Sequence, residues 1–152
     1  MEKEGGGVSD TTESKVPTEA VAGSGTSATI LIVEDDPDSA ELMGQILEIA
    51  GYQVQKATSG LEALSKVGLP GIDLILLDVM LPGVDGFEVC YRVRQNPATA
   101  HLPIVMVSAK GRREDIETGL RVGANTYMTK PLSRAGLVAT VKNLLETPEA
   151  SG

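Results

Sequence analysis

The sequence predicts an α/β fold, a doubly wound parallel sheet of about five strands with helices on both faces. Short apolar runs rich in β-branched residues alternate with amphipathic stretches from Thr29 onward. The run at 72–77, Ile-Asp-Leu-Ile-Leu-Leu, is nearly all apolar, as a central parallel strand covered on both faces requires. Strict strand–helix alternation with right-handed crossovers then leaves a doubly wound sheet as the way to bury every apolar face.

The first strand is Thr29-Ile30-Leu31-Ile32-Val33, too short for a helix and rich in β-branched residues. Asp36-Pro37 supplies an N-cap followed by proline at the first helical position. The helix it opens carries Leu42, Met43, Ile46, Leu47 and Ala50 as an apolar stripe and stops at Gly51. A second strand is expected at 52–56. Ser59 followed by Glu62 reads as a capping box for a short helix with Leu61, Leu64 and Val67, ended by the segment 68–71. Asp73 opens the central strand as a surface polar residue, and the strand stops abruptly at Asp78. Further on, helices are expected at 87–95, 113–121 and 133–146, and strands at 103–107 and 126–128. No internal repeat competes with this reading.

With 152 residues the chain has room for one domain of ordinary size and one continuous core, and a separate output domain is not expected within it. The formal charge of −8 argues against a nucleic-acid backbone or an anionic membrane as the main partner. Cys90 is the one cysteine, so there is neither a disulfide framework nor a cysteine zinc cluster, in keeping with a reducing cytoplasm. No apolar run approaches the roughly 20 residues of a membrane span, and the N-terminus lacks the apolar centre of a secretory signal. Residues 1–27 hold no aromatic, Leu or Ile, too little apolar surface to offset the entropy of ordering, and are expected to be a disordered tail.

In open sheets of this type ligands bind beyond the carboxyl ends of the strands, so the residues just after each strand are the informative ones. The first strand ends in Glu34-Asp35-Asp36, the third in Asp78, the fourth in Ser108, and the fifth runs into Lys130-Pro131. If the first and third strands are neighbours, Glu34, Asp35 and Asp78 converge. Like charges about 4 Å apart repel by roughly 4 kcal/mol even at an effective dielectric near 20, so a cation must offset them. An oxygen-rich site without nearby His or Cys favours magnesium, a hard ion that keeps several waters, over zinc. A carboxylate attacking phosphorus also needs positive charge and donors where the transferring group spreads its charge, which magnesium, Lys130 and Ser108 would supply. Asp78, at the end of the central strand, is the nucleophile candidate.

The segments Ile-Val-Glu-Asp-Asp-Pro at 32–37, Leu-Asp-Val-Met-Leu-Pro-Gly-Val-Asp-Gly at 77–86, Val-Ser-Ala-Lys at 107–110 and Tyr-Met-Thr-Lys-Pro at 127–131 occur in order. Together they resemble the receiver domains of response regulators, over roughly 29–145. The resemblance implies a flavodoxin-like three-layer sandwich, strand order 2-1-3-4-5 with five helices, and a stand-alone receiver at 28–147 followed by a flexible end at 148–152. By the same resemblance Asp78 matches the phosphoacceptor, Asp35 a direct magnesium ligand and Glu34 an acid acting through metal-bound water. Met80 contributes its backbone carbonyl to the metal, and manganese would substitute for magnesium. Ser108 matches the hydroxyl residue drawn toward the phosphoryl group, Lys130 the lysine that pairs with it, and Tyr127 the aromatic switch whose ring turns inward. A cis Lys130–Pro131 bond is also implied. Met80 and Lys110 occupy rim positions that tune access of water to the acyl phosphate. The implied partners are a histidine kinase or histidine phosphotransfer protein and a downstream protein that docks on the fourth helix, fifth strand and fifth helix. Neither nucleic acid nor membrane is expected as a direct partner, and the chain would be a monomer or a phosphorylation-dependent dimer.

Each residue also has a plainer reading. Asp36 and, with Glu88, Asp85 are expected simply to cap helices. Lys130 alone would be an exposed lysine and Tyr127 an ordinary sheet residue; only their joint spacing says otherwise. His101 has no partner ligands nearby in sequence and reads as structural, and Cys90 shares a helix face with Phe87 as a core residue. A magnesium phosphohydrolase or nuclease on a similar sheet would need a second acid two residues after Asp78, where Met80 stands. A flavodoxin-like cofactor binder would need hydroxyls and glycines where Glu34-Asp35-Asp36 stands, and a receiver-shaped module that has lost phosphorylation would not retain the whole set.

Overall fold

Ten elements alternate without exception in the computed structural model, which describes residues 27–146. All but Ser27 of the expected tail, and the expected end at 148–152, lie outside the described residues. The strands are β1 (Thr29–Val33), β2 (Gln53–Ala57), β3 (Leu74–Asp78), β4 (Ile104–Ser108) and β5 (Thr126–Thr129). The helices between and after them are α1 (Pro37–Ile49), α2 (Gly60–Val67), α3 (Gly86–Gln95), α4 (Arg113–Val122) and α5 (Arg134–Glu146). All strand pairs are parallel, in the order β2-β1-β3-β4-β5.

Alternate residues of each strand feed two cores. Ile30, Ile32, Leu74, Leu76, Val105 and Val107 face Met43, Ile46 and Leu47 of α1 and Leu137 and Val141 of α5. Leu31, Val33, Ile75, Leu77, Ile104 and Met106 face Ala63 and Val67 of α2 and Val89, Cys90 and Val93 of α3. The period of two thus sends successive side chains to opposite layers, and the central strands, buried on both sides, are apolar throughout.

Local chemistry starts the helices where expected. The Asp36 carboxylate accepts from the Ser39 amide at 2.9 Å and Pro37 is the first helical residue; Asp85 accepts from the Glu88 amide at 3.0 Å. At α2 the Ser59 hydroxyl accepts from the Glu62 amide at 3.1 Å, but Glu62 reaches back to the Thr58 amide at 2.8 Å, one residue beyond the partner a capping box would use. That contact, followed by the Lys66 ammonium, lowers the Glu62 carboxyl to about 2. After α1, Gly51 adopts φ +104, a conformation costly for any residue with a Cβ.

Several details differ from the sequence reading. β2 sits one residue later than expected, and Leu42 and Leu61, counted in apolar stripes, are 56% and 65% exposed. The buried stripe of α1 is turned instead toward Ala40 and Gly44, which with Met43, Ile46 and Leu47 face the sheet, while Leu42 and Ala50 face outward; in α2, Gly60 and Ala63 take the inward places beside Val67. Asp73 lies before β3 rather than in it, and its carboxylate accepts from the Thr29 amide at 2.8 Å, tying the starts of β1 and β3. The far end of the sheet is held by Arg94 of α3. Its half-buried guanidinium donates to the carbonyls of Ala100, Leu102 and Gly123 and to Asn125 Oδ1, at 2.6–2.9 Å.

Gly86 is the tightest fit near the strand ends: a Cβ there would collide with the Asp78 carbonyl oxygen and stand 2.7 Å from Val79 Cα. Both obstacles are backbone and cannot rotate away. Gly86→Ala is therefore expected to destabilise the domain by about 1–3 kcal/mol, the usual cost of overpacking. Urea unfolding should show a lower midpoint at unchanged slope; a loss below about 0.5 kcal/mol, within the ordinary scatter of surface substitutions, would contradict the close approach.

Candidate functional site

The strand register brings the informative ends together. Val33 pairs with Leu77, Asp78 with Val107 and Ser108 with Thr129, so the residues at or just after these pairs share one edge of the sheet. Glu34, Asp78 and Ser108 are buried there, and Asp35 is exposed beside them. One ligand oxygen from each of Glu34, Asp35 and Asp78 lies within 4.8 Å of the others.

Lys130, just past β5, reaches over β4 into this cluster. Its ammonium donates to Glu34 Oε1 at 2.7 Å and to Asp78 Oδ2 at 3.1 Å. The second oxygen of Asp78 accepts from the Met80 amide at 2.9 Å, and the second oxygen of Glu34 accepts from the Asp36 amide at 3.2 Å. Burial raises the Glu34 carboxyl above its ordinary value, and the Lys130 bond offsets only part of that rise. For Lys130, burial pulls the other way, but its bonds to Glu34 and Asp78 outweigh it and the net shift is upward. The Lys130–Pro131 bond is cis.

One ammonium against three carboxylates leaves negative charge uncompensated in a confined space. All the donors are hard oxygens, so the residues present fit a divalent cation of the magnesium type, with Glu34, Asp35 and Asp78 the side chains able to hold it. Asp78 meets donors at both oxygens, an amide on one side and an ammonium on the other, which orients its carboxylate without removing its capacity to act as a nucleophile.

Ser108 Oγ accepts from the Lys110 amide at 3.0 Å. The Tyr127 hydroxyl donates to the carbonyl of that same Lys110 at 2.6 Å, and the ring packs against the core shared by β4 and α3. Burial raises the Tyr127 pKa, an effect partly offset by the neighbouring Ser108 hydroxyl. Met80 and Lys110 are exposed at the rim. His101 is exposed, and Cys90 is a core residue whose thiol burial pushes up to about 11. Sequence reasoning overlooked Gly86, which lets the chain after β3 return against Asp78, and the Asp36 amide as a holder of Glu34. A glycine immediately after an N-cap aspartate was the available signal for the first; the second depends on a loop path that no residue type announces.

A family model described as the response regulator receiver domain matches residues 30–142. The DNA-binding dual master transcriptional regulator RpaA of Synechocystis sp. is 43% identical over 116 residues, 76% of this chain and 48% of that protein. The phosphate regulon transcriptional regulatory protein PhoB of Pseudomonas aeruginosa is 42% identical over 117 residues, 77% of this chain and 51% of that protein. This chain thus spans about half the length of these relatives. The crystal structure of a CheY-like response regulator receiver domain protein from Methanospirillum hungatei superposes with a TM-score of 0.76 at 30% identity, covering 84% of this chain and 100% of that one. Among the described residues, no helix is long and apolar enough to cross a membrane.

Magnesium is expected to stabilise the folded chain by mass action, by about 2.7 kcal/mol at a concentration 100 times its dissociation constant. Thermal unfolding against magnesium concentration should show this rise in the wild type and lose most of it in Asp35→Asn; equal rises in both would remove Asp35 from the site.

Proposed function

This chain belongs to the response regulator receiver family, and we propose that it accepts a phosphoryl group on Asp78 from a histidine kinase or histidine phosphotransfer protein and thereby changes which protein it binds. Receiver domains accept phosphate from histidine kinases, bind magnesium at an acidic pocket, and act as signalling phosphoacceptors rather than conventional enzymes. The observation that carries the assignment to Asp78 is its placement at the end of the central strand, with Lys130 bonded to one oxygen and the Met80 amide to the other.

In the proposed reaction a carboxylate oxygen of Asp78 attacks the phosphorus of a phosphohistidine. The P–N bond breaks, its electron pair returns to the imidazole, which takes up a proton, and an acyl phosphate forms on Asp78. Water later attacks that phosphorus, releasing inorganic phosphate and restoring the carboxylate. Magnesium, when bound through Asp35, Asp78, the Met80 carbonyl and, by way of water, Glu34, supplies positive charge against the phosphoryl oxygens; manganese serves the same chemistry. Lys130, now paired with Glu34 and Asp78, exchanges the Asp78 oxygen for a phosphoryl oxygen, and the Ser108 hydroxyl turns toward the same group.

We propose that the readout runs from Ser108 and Tyr127 to the face formed by α4, β5 and α5, by a shift between two conformations. A downstream protein docks there, with the chain monomeric or a phosphorylation-dependent dimer. RpaA and PhoB carry as much chain again beyond the matched stretch, and RpaA's name makes it DNA-binding. For the present sequence the charge of −8 favours a docked protein over direct contact with a phosphate backbone. The reading places the chain in the cytoplasm.

Intact-protein mass spectrometry after acetyl phosphate or phosphoramidate treatment should give a magnesium-dependent, base-labile phosphate adduct on the wild type. Asp78→Asn should give none while keeping the wild-type circular dichroism spectrum; labelling at normal yield in that variant would sink the assignment. Lys130→Ala is expected to fold and to lose the conformational response to the phosphodonor, and a wild-type response would remove Lys130 from the mechanism.

A further inference from the structure

An isolated glycine inside a helix is unfavourable relative to alanine, so one that faces the interior calls for a packing reason. Gly119 lies in the middle of α4 and is buried. A Cβ built there would stand 2.8 Å from Cδ2 and 3.2 Å from Cε2 of the Tyr127 ring, and 2.8 Å from the sulfur of Met106. Nonbonded carbons sit about 3.5–4.0 Å apart, so a side chain at 119 and the ring cannot share this space.

The two neighbours do not yield equally. Met106 belongs to β4, is fully buried, and is enclosed by the core between the sheet and α3. Tyr127 belongs to the edge strand β5 and is only partly buried, so its ring has solvent to swing into. The ring is held at two points: its edge rests against the bare backbone of Gly119, and its hydroxyl donates to the Lys110 carbonyl. Lys110 is the residue whose amide is held by Ser108. The seat at 119 therefore governs whether the hydroxyl can reach the loop that begins at Ser108.

We infer that Gly119 is the positioning residue of Tyr127: the missing side chain on α4 forms the seat of the inward ring, and the residue at 119 sets the balance between ring seated and ring turned to solvent. The functional meaning of that balance rests on the switch proposed above, whereas the seat itself rests on geometry alone. A residue that only permits close packing of α4 on β4 would, by contrast, change stability and leave the ring where it is.

The test uses the full chain with isotope-labelled tyrosines, of which there are three, resolved by nuclear magnetic resonance. In the wild type the Tyr127 ring should show contacts to the Gly119 α-protons and the Met106 methyl. In Gly119→Ala the Met106 contact should fall several-fold and the ring should become accessible to a soluble paramagnetic probe. Tyr127→Phe, which keeps the ring and loses the Lys110 bond, should retain part of the contact. Absence of the wild-type contacts overturns the inference, including where the alanine variant fails to fold. Contacts of wild-type strength in a folded Gly119→Ala overturn it too, since the glycine would then serve packing alone. Acetyl phosphate labelling of Asp78 in the same samples separates the two proposals: ring contacts that behave as expected without any labelling count against the phosphoacceptor reading and leave the seat standing.

Discussion

Like charges confined to one edge of a sheet must be compensated, and the architecture around Asp78 is arranged by that requirement. Glu34 comes from the end of β1 and Asp78 from the end of β3, which are adjacent only because the winding reverses between them. Their compensation comes from Lys130, 96 residues from Glu34 and 52 from Asp78 in sequence, carried in by the last strand. No local segment could make this site. Removing the lysine would leave two buried carboxylates facing each other at the rim, a loss the partly exposed site can moderate by admitting water or a cation. Register matters as much as order, because a slip of one residue would turn Asp78 to the other face of the sheet.

The same edge links chemistry to a surface. Lys110 is gripped from both sides, its amide by the Ser108 hydroxyl and its carbonyl by the Tyr127 hydroxyl. In the proposed switch, a hydroxyl that turns toward a phosphoryl group gives up its bond to the Lys110 amide, and the loop from 109 to 112 answers to the tyrosine instead. Hydrogen bonds thus link Ser108 to Tyr127 through Lys110, and the Tyr127 ring in turn packs on Gly119 of α4, a physical route for coupling rather than a measured one.

Much of the fold was legible because its signals are local and periodic. Apolar runs of five or six residues, caps at Asp36, Ser59 and Asp85, and a near-continuous apolar run before Asp78 name elements without reference to the rest of the chain. The site was legible in its residue types and order, since Glu34, Asp35, Asp78, Ser108 and Lys130 each stand at a strand end. What the sequence did not disclose is contact. Leu42 and Leu61 look like core residues by spacing and are exposed, because the small residues Ala40, Gly44, Gly60 and Ala63 face inward instead and so set the rotation of each helix on the sheet. The Glu34–Asp36 amide bond, the backbone approach at Gly86 and the ring against Gly119 depend on positions in space that residue type alone does not encode.

Arg94 holds the Gly123 carbonyl at the C-terminal cap of α4, together with Asn125 and the segment leading into β4. At the opposite end, Arg112 gives α4 no side-chain cap, and its guanidinium lies 3.9 Å from the Glu114 carboxylate. The helix is thus tied by an arginine side chain at its C-terminal end, whereas ahead of its first turn the ties are the bonds that Lys110 makes to Ser108 and Tyr127. In the proposed switch a shift of the loop at 109–112 therefore reaches α4 at its first turn, while the Arg94 contacts tie the end at Gly123 to α3 and to the segment before β4.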